Sequence, residues 1–184
     1  MRENTEALGA VLLTRARNAI AAALGQSCLD EDDHPALHEP GATFVTLTMA
    51  GELRGCIGSL EAWRLLGDDV RENARAAAFS DPRFEPLTEQ EFAEVRVEVS
   101  LLTPAEPFPV QDEADALRQL RPHVDGVIFT CRNRRSTFLP QVWESLATPE
   151  LFLSHLKQKA GFPPHFWSPE VKLYRYGVQK WKEQ

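Results

Sequence analysis

Two alternating segments joined by a glycine-containing turn constrain this chain more than any other feature: Thr43-Phe44-Val45-Thr46-Leu47-Thr48 and Leu53-Arg54-Gly55-Cys56-Ile57-Gly58. Successive side chains of a strand point to opposite faces, so Arg54, Cys56 and Gly58 share one face while Leu53, Gly55 and Ile57 share the other. The apolar set is assigned to the core. A three-residue loop Met49-Ala50-Gly51 places glycine at the left-handed position and pairs Leu47 with Leu53, Val45 with Gly55, Thr46 with Arg54 and Phe44 with Cys56. A two-residue turn at Ala50-Gly51 would set Leu47 against Arg54 and mix the faces. Gly55, lacking a side chain, lets another element approach the backbone. Val95-Arg96-Val97-Glu98-Val99-Ser100-Leu101 alternates in the same way. Placed in the same sheet, the three strands gather Arg54, Cys56, Arg96, Glu98 and Ser100 on one polar face.

Helical spacing predicts helices over residues 5–24, with Thr5 as N-cap and Gly25 past the end, and from Asp68 or Asp69 to Phe79. Thr88-Glu89-Gln90-Glu91 has the capping-box pattern and predicts a short helix over 88–93. Further helices are expected over 112–121 and from Thr148 or Pro149 to Ala160. A second hairpin runs out over 127–130 and back over 136–139, with Arg132-Asn133-Arg134-Arg135 at its tip, and residues 171–178 form a last strand. Residues 104–109 read as an extended linker and 162–167 as an aromatic, proline-rich loop. Strands and helices so distributed predict an α+β fold, a mainly antiparallel sheet flanked by helices, in a single domain over 1–184 with the acidic loop 28–40 as its strongest internal break.

The chain has 184 residues, 43% of them hydrophobic, and a net charge of −7. That charge excludes a general nucleic-acid binder, which needs a surplus of Lys and Arg. No run approaches the roughly 20 apolar residues that cross a bilayer. The polar start Met1-Arg2-Glu3-Asn4-Thr5-Glu6 is not a signal peptide, and three separated cysteines suggest neither a disulfide framework nor a zinc ribbon, so a reducing, cytoplasmic setting is expected. His34 and His38 lie four apart among carboxylates, yet a surface loop without a rigid scaffold reads as a solvated acidic connector, and no metal site is assigned.

A cysteine beside a cation gains thiolate character, which makes Cys56 with Arg54 a candidate nucleophile. Glu98 is the candidate base, and Arg96 or the amides near Gly58 and Ser59 would hold an anion. No histidine falls on the face; His123 or His165 would have to reach it from a loop, and His155 reads as a rim residue. Two functional readings stand beside a plain structural cysteine. One is a cysteine-dependent enzyme using Cys56, Arg54 and Glu98. The other is a binding or scaffold protein whose notch is lined by Gly55, Gly58, Arg96 and Ser100.

The hexapeptide Leu53–Gly58, followed in order by Asp68-Asp69-Val70 with Asn73-Ala74, Asp81-Pro82-Arg83-Phe84, Glu98-Val99-Ser100, Val124-Asp125-Gly126, Thr137-Phe138-Leu139-Pro140-Gln141-Val142-Trp143, Phe152-Leu153 with Leu156 and Lys159-Ala160-Gly161, and Trp167-Ser168, resembles the AMMECR domain family, whose microbial members are called AmmeMemoRadiSam system protein A. The resemblance implies an α+β fold with a mainly antiparallel sheet, in a larger lobe with a smaller one attached. It implies no settled activity or cofactor. It also implies action alongside a Memo-like protein and a radical S-adenosylmethionine enzyme, with the Leu53–Gly58 motif forming a cleft for a small ligand or partner.

Overall fold

The computed structural model describes residues 2–184; Met1, at the head of the polar start, lies outside the described residues. The elements are α1 (Arg2–Ala23), β1 (Thr43–Met49), β2 (Glu52–Gly58), α2 (Leu66–Phe79), α3 (Glu89–Glu94), β3 (Arg96–Leu102), β4 (Glu106–Pro107), α4 (Glu113–Gln119), β5 (Gly126–Cys131), β6 (Arg134–Phe138), α5 (Pro149–Lys159), β7 (Lys172–Tyr176) and β8 (Val178–Lys182), with 3-10 turns at Pro35–His38 and Pro140–Glu144. Helices beside two four-stranded sheets make the protein α+β, as the sequence predicts. The chain divides into two compact units, residues 1–102 with 179–184, and residues 103–178.

In the first unit the strand order is β2-β1-β3-β8. Val45, Leu47, Val97 and Val99 form its core face, each without solvent exposure, and pack with Leu12, Ala16 and Ile20 of α1 and Val70, Ala74 and Ala77 of α2. The small side chains of both helices let them lie close to the sheet. Gly55 takes this furthest: a Cβ there would stand 2.1 Å from the carbonyl oxygen of Ala77 in α2. The loop 28–40 is more ordered than its acidic composition predicts. Asn18 bonds both the carbonyl and the N–H of Leu29 at 2.8 Å, and Leu37 is buried.

The hairpin register differs from the expected one. The turn is Ala50-Gly51, both at positive φ (51° and 80°), which matches the twist of a two-residue hairpin. Leu47 pairs with Gly55 and Thr48 with Leu53, so Arg54 has no partner and forms a β-bulge. The bulge removes the objection to the short turn. It absorbs one residue, so Gly55 and Ile57 still face the core while Leu53 swings to the opposite face, where it is 42% exposed.

The second unit has the strand order β4-β7-β5-β6. Trp143 stacks on Phe152 of α5 with ring centroids 3.9 Å apart and 7° between planes, and the indole N–H donates to the Asp125 carbonyl at 2.8 Å. Phe129, Leu153 and Leu156 complete this core, and the wholly buried Lys157 bonds Glu113 of α4 at 2.5 Å and the Phe166 carbonyl at 3.0 Å. The expected strand 171–178 is two strands: the chain leaves this sheet at Gly177 and enters the other as β8. Two of the tip arginines are held by separate partners, Arg132 by Glu170 and Arg134 by the Gly161 carbonyl. Among the described residues no helix is long and apolar enough to cross a membrane.

Candidate functional site

The face of the first sheet opposite its core carries three cross-strand rows. Phe44 lies between Gly58 and Ser100, Thr46 between Cys56 and Glu98, and Thr48 between Leu53 and Arg96. Cys56, Gly58, Arg96, Glu98 and Ser100 are therefore brought together, as expected, but in a different register. Thr46 stands where Arg54 was placed, and its Oγ1 lies 3.2 Å from the Cys56 Sγ. With strands about 5 Å apart, Cys56 and Glu98 are separated by about 10 Å across Thr46. Cys56, Thr46 and Glu98 are half-buried, Arg96 is exposed and Ser100 is buried. Gly58 is open so that the Phe44 ring can lie across it; a Cβ there would be 2.2 Å from the ring.

Arg54 is not in this row. It is 9% exposed, and its Nε and Nη2 bind the Glu91 carboxylate at 2.9 and 3.0 Å while Nη2 also donates to the Glu85 carbonyl. Glu91 is also the reciprocal member of the Thr88 capping box, so one carboxylate closes α3 and fixes the bulge. The Arg54 guanidinium, with the Thr88 N–H, pulls the Glu91 carboxyl down to about 2. The role of activating Cys56 therefore does not fit the geometry of Arg54, whose charge is committed to Glu91. The bulge is the cause: two neighbouring residues of a bulge oppose one on the partner strand, which breaks the alternation that placed Arg54 and Cys56 together.

The cation that does reach Cys56 is Arg83. β2 is an edge strand, and its outer backbone groups would otherwise be open for pairing. The Cys56 N–H donates to Asp81 Oδ2 at 2.9 Å, and Arg83 Nη2 donates to the Cys56 carbonyl at 3.4 Å. Arg83 Nε and Nη2 also bind the Asp81 carboxylate, at 3.0 and 2.7 Å. Asp81 is 4% exposed, and the Arg83 side chain, followed by the Cys56 and Arg83 backbone N–H groups, holds its carboxyl far below the ordinary range. Residues 81–83 thus act as a clip that fixes the backbone under the thiol.

A second polar cluster secures the far end of β2. Asp69, without solvent exposure, accepts the Thr43 N–H and hydroxyl on Oδ2, both at 2.7 Å, and the Ser59 hydroxyl (2.6 Å) and Arg64 Nε (2.8 Å) on Oδ1. Asn73 Nδ2 donates to the Thr43 carbonyl, the Ser59 hydroxyl and Asp69. Sequence reasoning starts the second helix at Asp68 or Asp69 and gives residues 81–83 no structural role, missing both clusters. The ordered matches Asp68-Asp69-Val70 with Asn73 and Asp81-Pro82-Arg83 were the signal that marked them.

The two histidines of the acidic loop have partners of their own. His34 Nδ1 accepts the Ala36 N–H at 3.1 Å and its Nε2 meets Asn4, whereas His38 pairs with Asp33 at 2.9 Å. These two imidazoles hold the loop to itself and, through Asn4, to α1. Among the described residues no group of three or more His, Cys, Asp or Glu side chains is arranged to hold a metal ion. Cys131 is buried and Cys28 exposed.

Comparison with known proteins places this architecture among relatives. The AMMECR1 family model matches residues 13–181. A protein of Methanothermobacter thermautotrophicus is 41% identical over 159 residues, covering 83% of this chain and 81% of that one. A protein of Methanopyrus kandleri is 35% identical over 187 residues, covering 96% and 88%. The crystal structure of the uncharacterised protein PH0010 from Pyrococcus horikoshii superimposes with a TM-score of 0.78 at 31% identity, covering 94% of this chain and 90% of that one.

Proposed function

This chain belongs to the AMMECR1 family, and from that premise we propose that it is a binding protein whose Cys56 face receives a small ligand or a partner segment, in concert with a Memo-like protein and a radical S-adenosylmethionine enzyme. The observation that carries this reading is the contrast within one strand. The backbone of Cys56 is clamped by Asp81 and Arg83, while its thiol shares a half-buried face with the Thr46 hydroxyl and the Glu98 carboxylate. Rigid support beneath convergent polar groups is what a recognition surface requires. Arg96 and Ser100 flank the row, and Gly58 keeps its end low under the Phe44 ring.

The short Thr46–Cys56 contact favours one second reading, a cysteine-dependent enzyme. In it Glu98, across Thr46, takes the thiol proton, and the Cys56 sulfur adds to a carbonyl carbon whose C=O π pair moves onto the oxygen, with Arg54 acting only through the fold. Titration calorimetry of the full chain against a Memo-like protein from the same genome separates the two. Under the binding reading wild type and Cys56→Ser bind alike and Glu98→Lys binds at least about ten-fold more weakly. Absence of any heat with wild type removes the partner. Binding kept in Cys56→Ser, alongside a product that only wild type forms, establishes the enzyme.

A further inference from the structure

The connection between β2 and α2 exposes three large apolar side chains within six residues: Leu60 at 45%, Trp63 at 71% and Leu65 at 43%. Single exposed leucines need no explanation, but an exposed indole between two of them marks a surface built for contact. The loop is held firmly. The Gly41 N–H donates to the Arg64 carbonyl at 3.1 Å, the Leu66 N–H donates to the Glu39 carbonyl at 2.8 Å, and Leu65 forms a bridge with Pro40. Arg64 is anchored on the buried Asp69, and its guanidinium lies over the Trp63 ring, 4.6 Å from the centroid. The indole is thus held in place before any partner arrives, which lowers the ordering cost of binding.

Charge narrows the occupant. Exposed Glu39 and Asp68 adjoin Leu65 along the main chain, the Glu39 carbonyl accepting the Leu66 N–H and the Asp68 N–H donating to the Leu65 carbonyl at 3.0 Å. The one cation of the loop, Arg64, is already paired with Asp69. An apolar centre with an acidic rim remains. We propose that residues 60–65 dock a segment of a partner protein that sets a Lys or Arg beside an aliphatic side chain. The aliphatic group covers Leu60 and Leu65, and the cation meets Glu39, Asp68 and the open face of the Trp63 ring. The net charge of −7 disfavours a second copy of this chain or an anionic membrane as the occupant. This surface does not depend on Cys56 having any function.

The test is a random dodecapeptide display selection on the immobilised full chain, counter-selected on Trp63→Ala. Trp63 is exposed, so the variant should melt with wild type, and a matched melt is the control for folding. Enriched peptides are expected to carry Lys or Arg next to Leu, Ile or Val. They should bind wild type at least about ten-fold tighter than Trp63→Ala, weaken with salt and keep their affinity for Cys56→Ser. Enrichment of acidic or uncharged peptides, or of peptides that bind Trp63→Ala equally well, overturns the proposal, as does a selection that yields no Trp63-dependent binder. Concentration-dependent dimerisation lost in Trp63→Ala overturns it in favour of self-association.

Discussion

Replacing Gly55 by alanine adds one methyl group at the point of closest approach between strand and helix. That Cβ would lie 2.1 Å from the Ala77 carbonyl oxygen and 3.1 Å from its carbon, against 3.4 Å for ordinary contact, a deficit of 1.3 Å against helix backbone. No side chain can rotate away to relieve it. Either β2 or α2 must move by about that amount, opening gaps among Val45, Leu47, Val70 and Ala74, which are packed without solvent exposure. Overpacking in a core costs about 1–3 kcal/mol, and displacement of main chain places this case near ~3 kcal/mol. With roughly 4 °C or more per kcal/mol for a unit of this size, the first unit should melt about 12 °C lower. Urea unfolding followed by circular dichroism measures the loss. Gly177→Ala serves as the control, because its added Cβ would lie an ordinary 3.5 Å from the nearest atom, Thr103 Oγ1. A loss below about 1 kcal/mol for Gly55→Ala would refute the reasoning, since the strand would then have slack that the geometry denies.

Asp69→Ala leaves the Thr43 N–H and hydroxyl and the Ser59 hydroxyl without their acceptor and strands the Arg64 charge. A loss of about 4 kcal/mol in denaturant unfolding is expected, and a loss near zero would mean that water replaces the carboxylate. Glu91 is pulled from its ordinary 4.5 to about 2 in the folded protein, so the Arg54 pair contributes its full stability above pH 4.5 and loses it as pH falls through about 2. Glu91→Gln should flatten the stability profile across that interval, and an unchanged profile counts against the pair. Iodoacetamide on the native protein should label Cys28 readily, Cys56 more slowly and Cys131 only after unfolding, as mass spectrometry of the three peptides will report. Lys157→Ala should cost about 4 kcal/mol, because it leaves a cavity and leaves Glu113 and the Phe166 carbonyl without their buried donor; Lys157→Met, which fills the space, should recover part of it.

Elements whose residues interact locally were readable from sequence. Thr88 and Glu91 sit three apart and form the box over α3, and the alternation of residues 95–101 predicts the strand found at Arg96–Leu102, with Val97 and Val99 inward. The cross-strand neighbours of Cys56 were legible only in part. Glu98, Arg96 and Ser100 share its face, because β3 keeps strict period two, whereas Arg54 leaves it, because a bulge is an insertion relative to a partner strand and has no signature in one strand alone. Leu53 and Arg54 consequently exchange places. The Asp81–Arg83 clip and the Asp69 cluster were illegible for a related reason. The bonds that tie them to the backbone of β1 and β2 join residues 25 to 30 positions apart, and polar side chains in turns and helices look alike whether they face water or a strand.

The route of the chain through its first sheet also sets an order of events during synthesis. β8 lies beside β3, yet all of residues 103–177 are made before it. Until then β3 presents an open edge, Val97 lacks the Glu183 groups that bind its N–H and carbonyl, and Arg17 lacks the carboxylate that holds it. Clipping residues 178–183 therefore strikes the first unit, although these residues follow the second in sequence, and leaves β3 as an open edge.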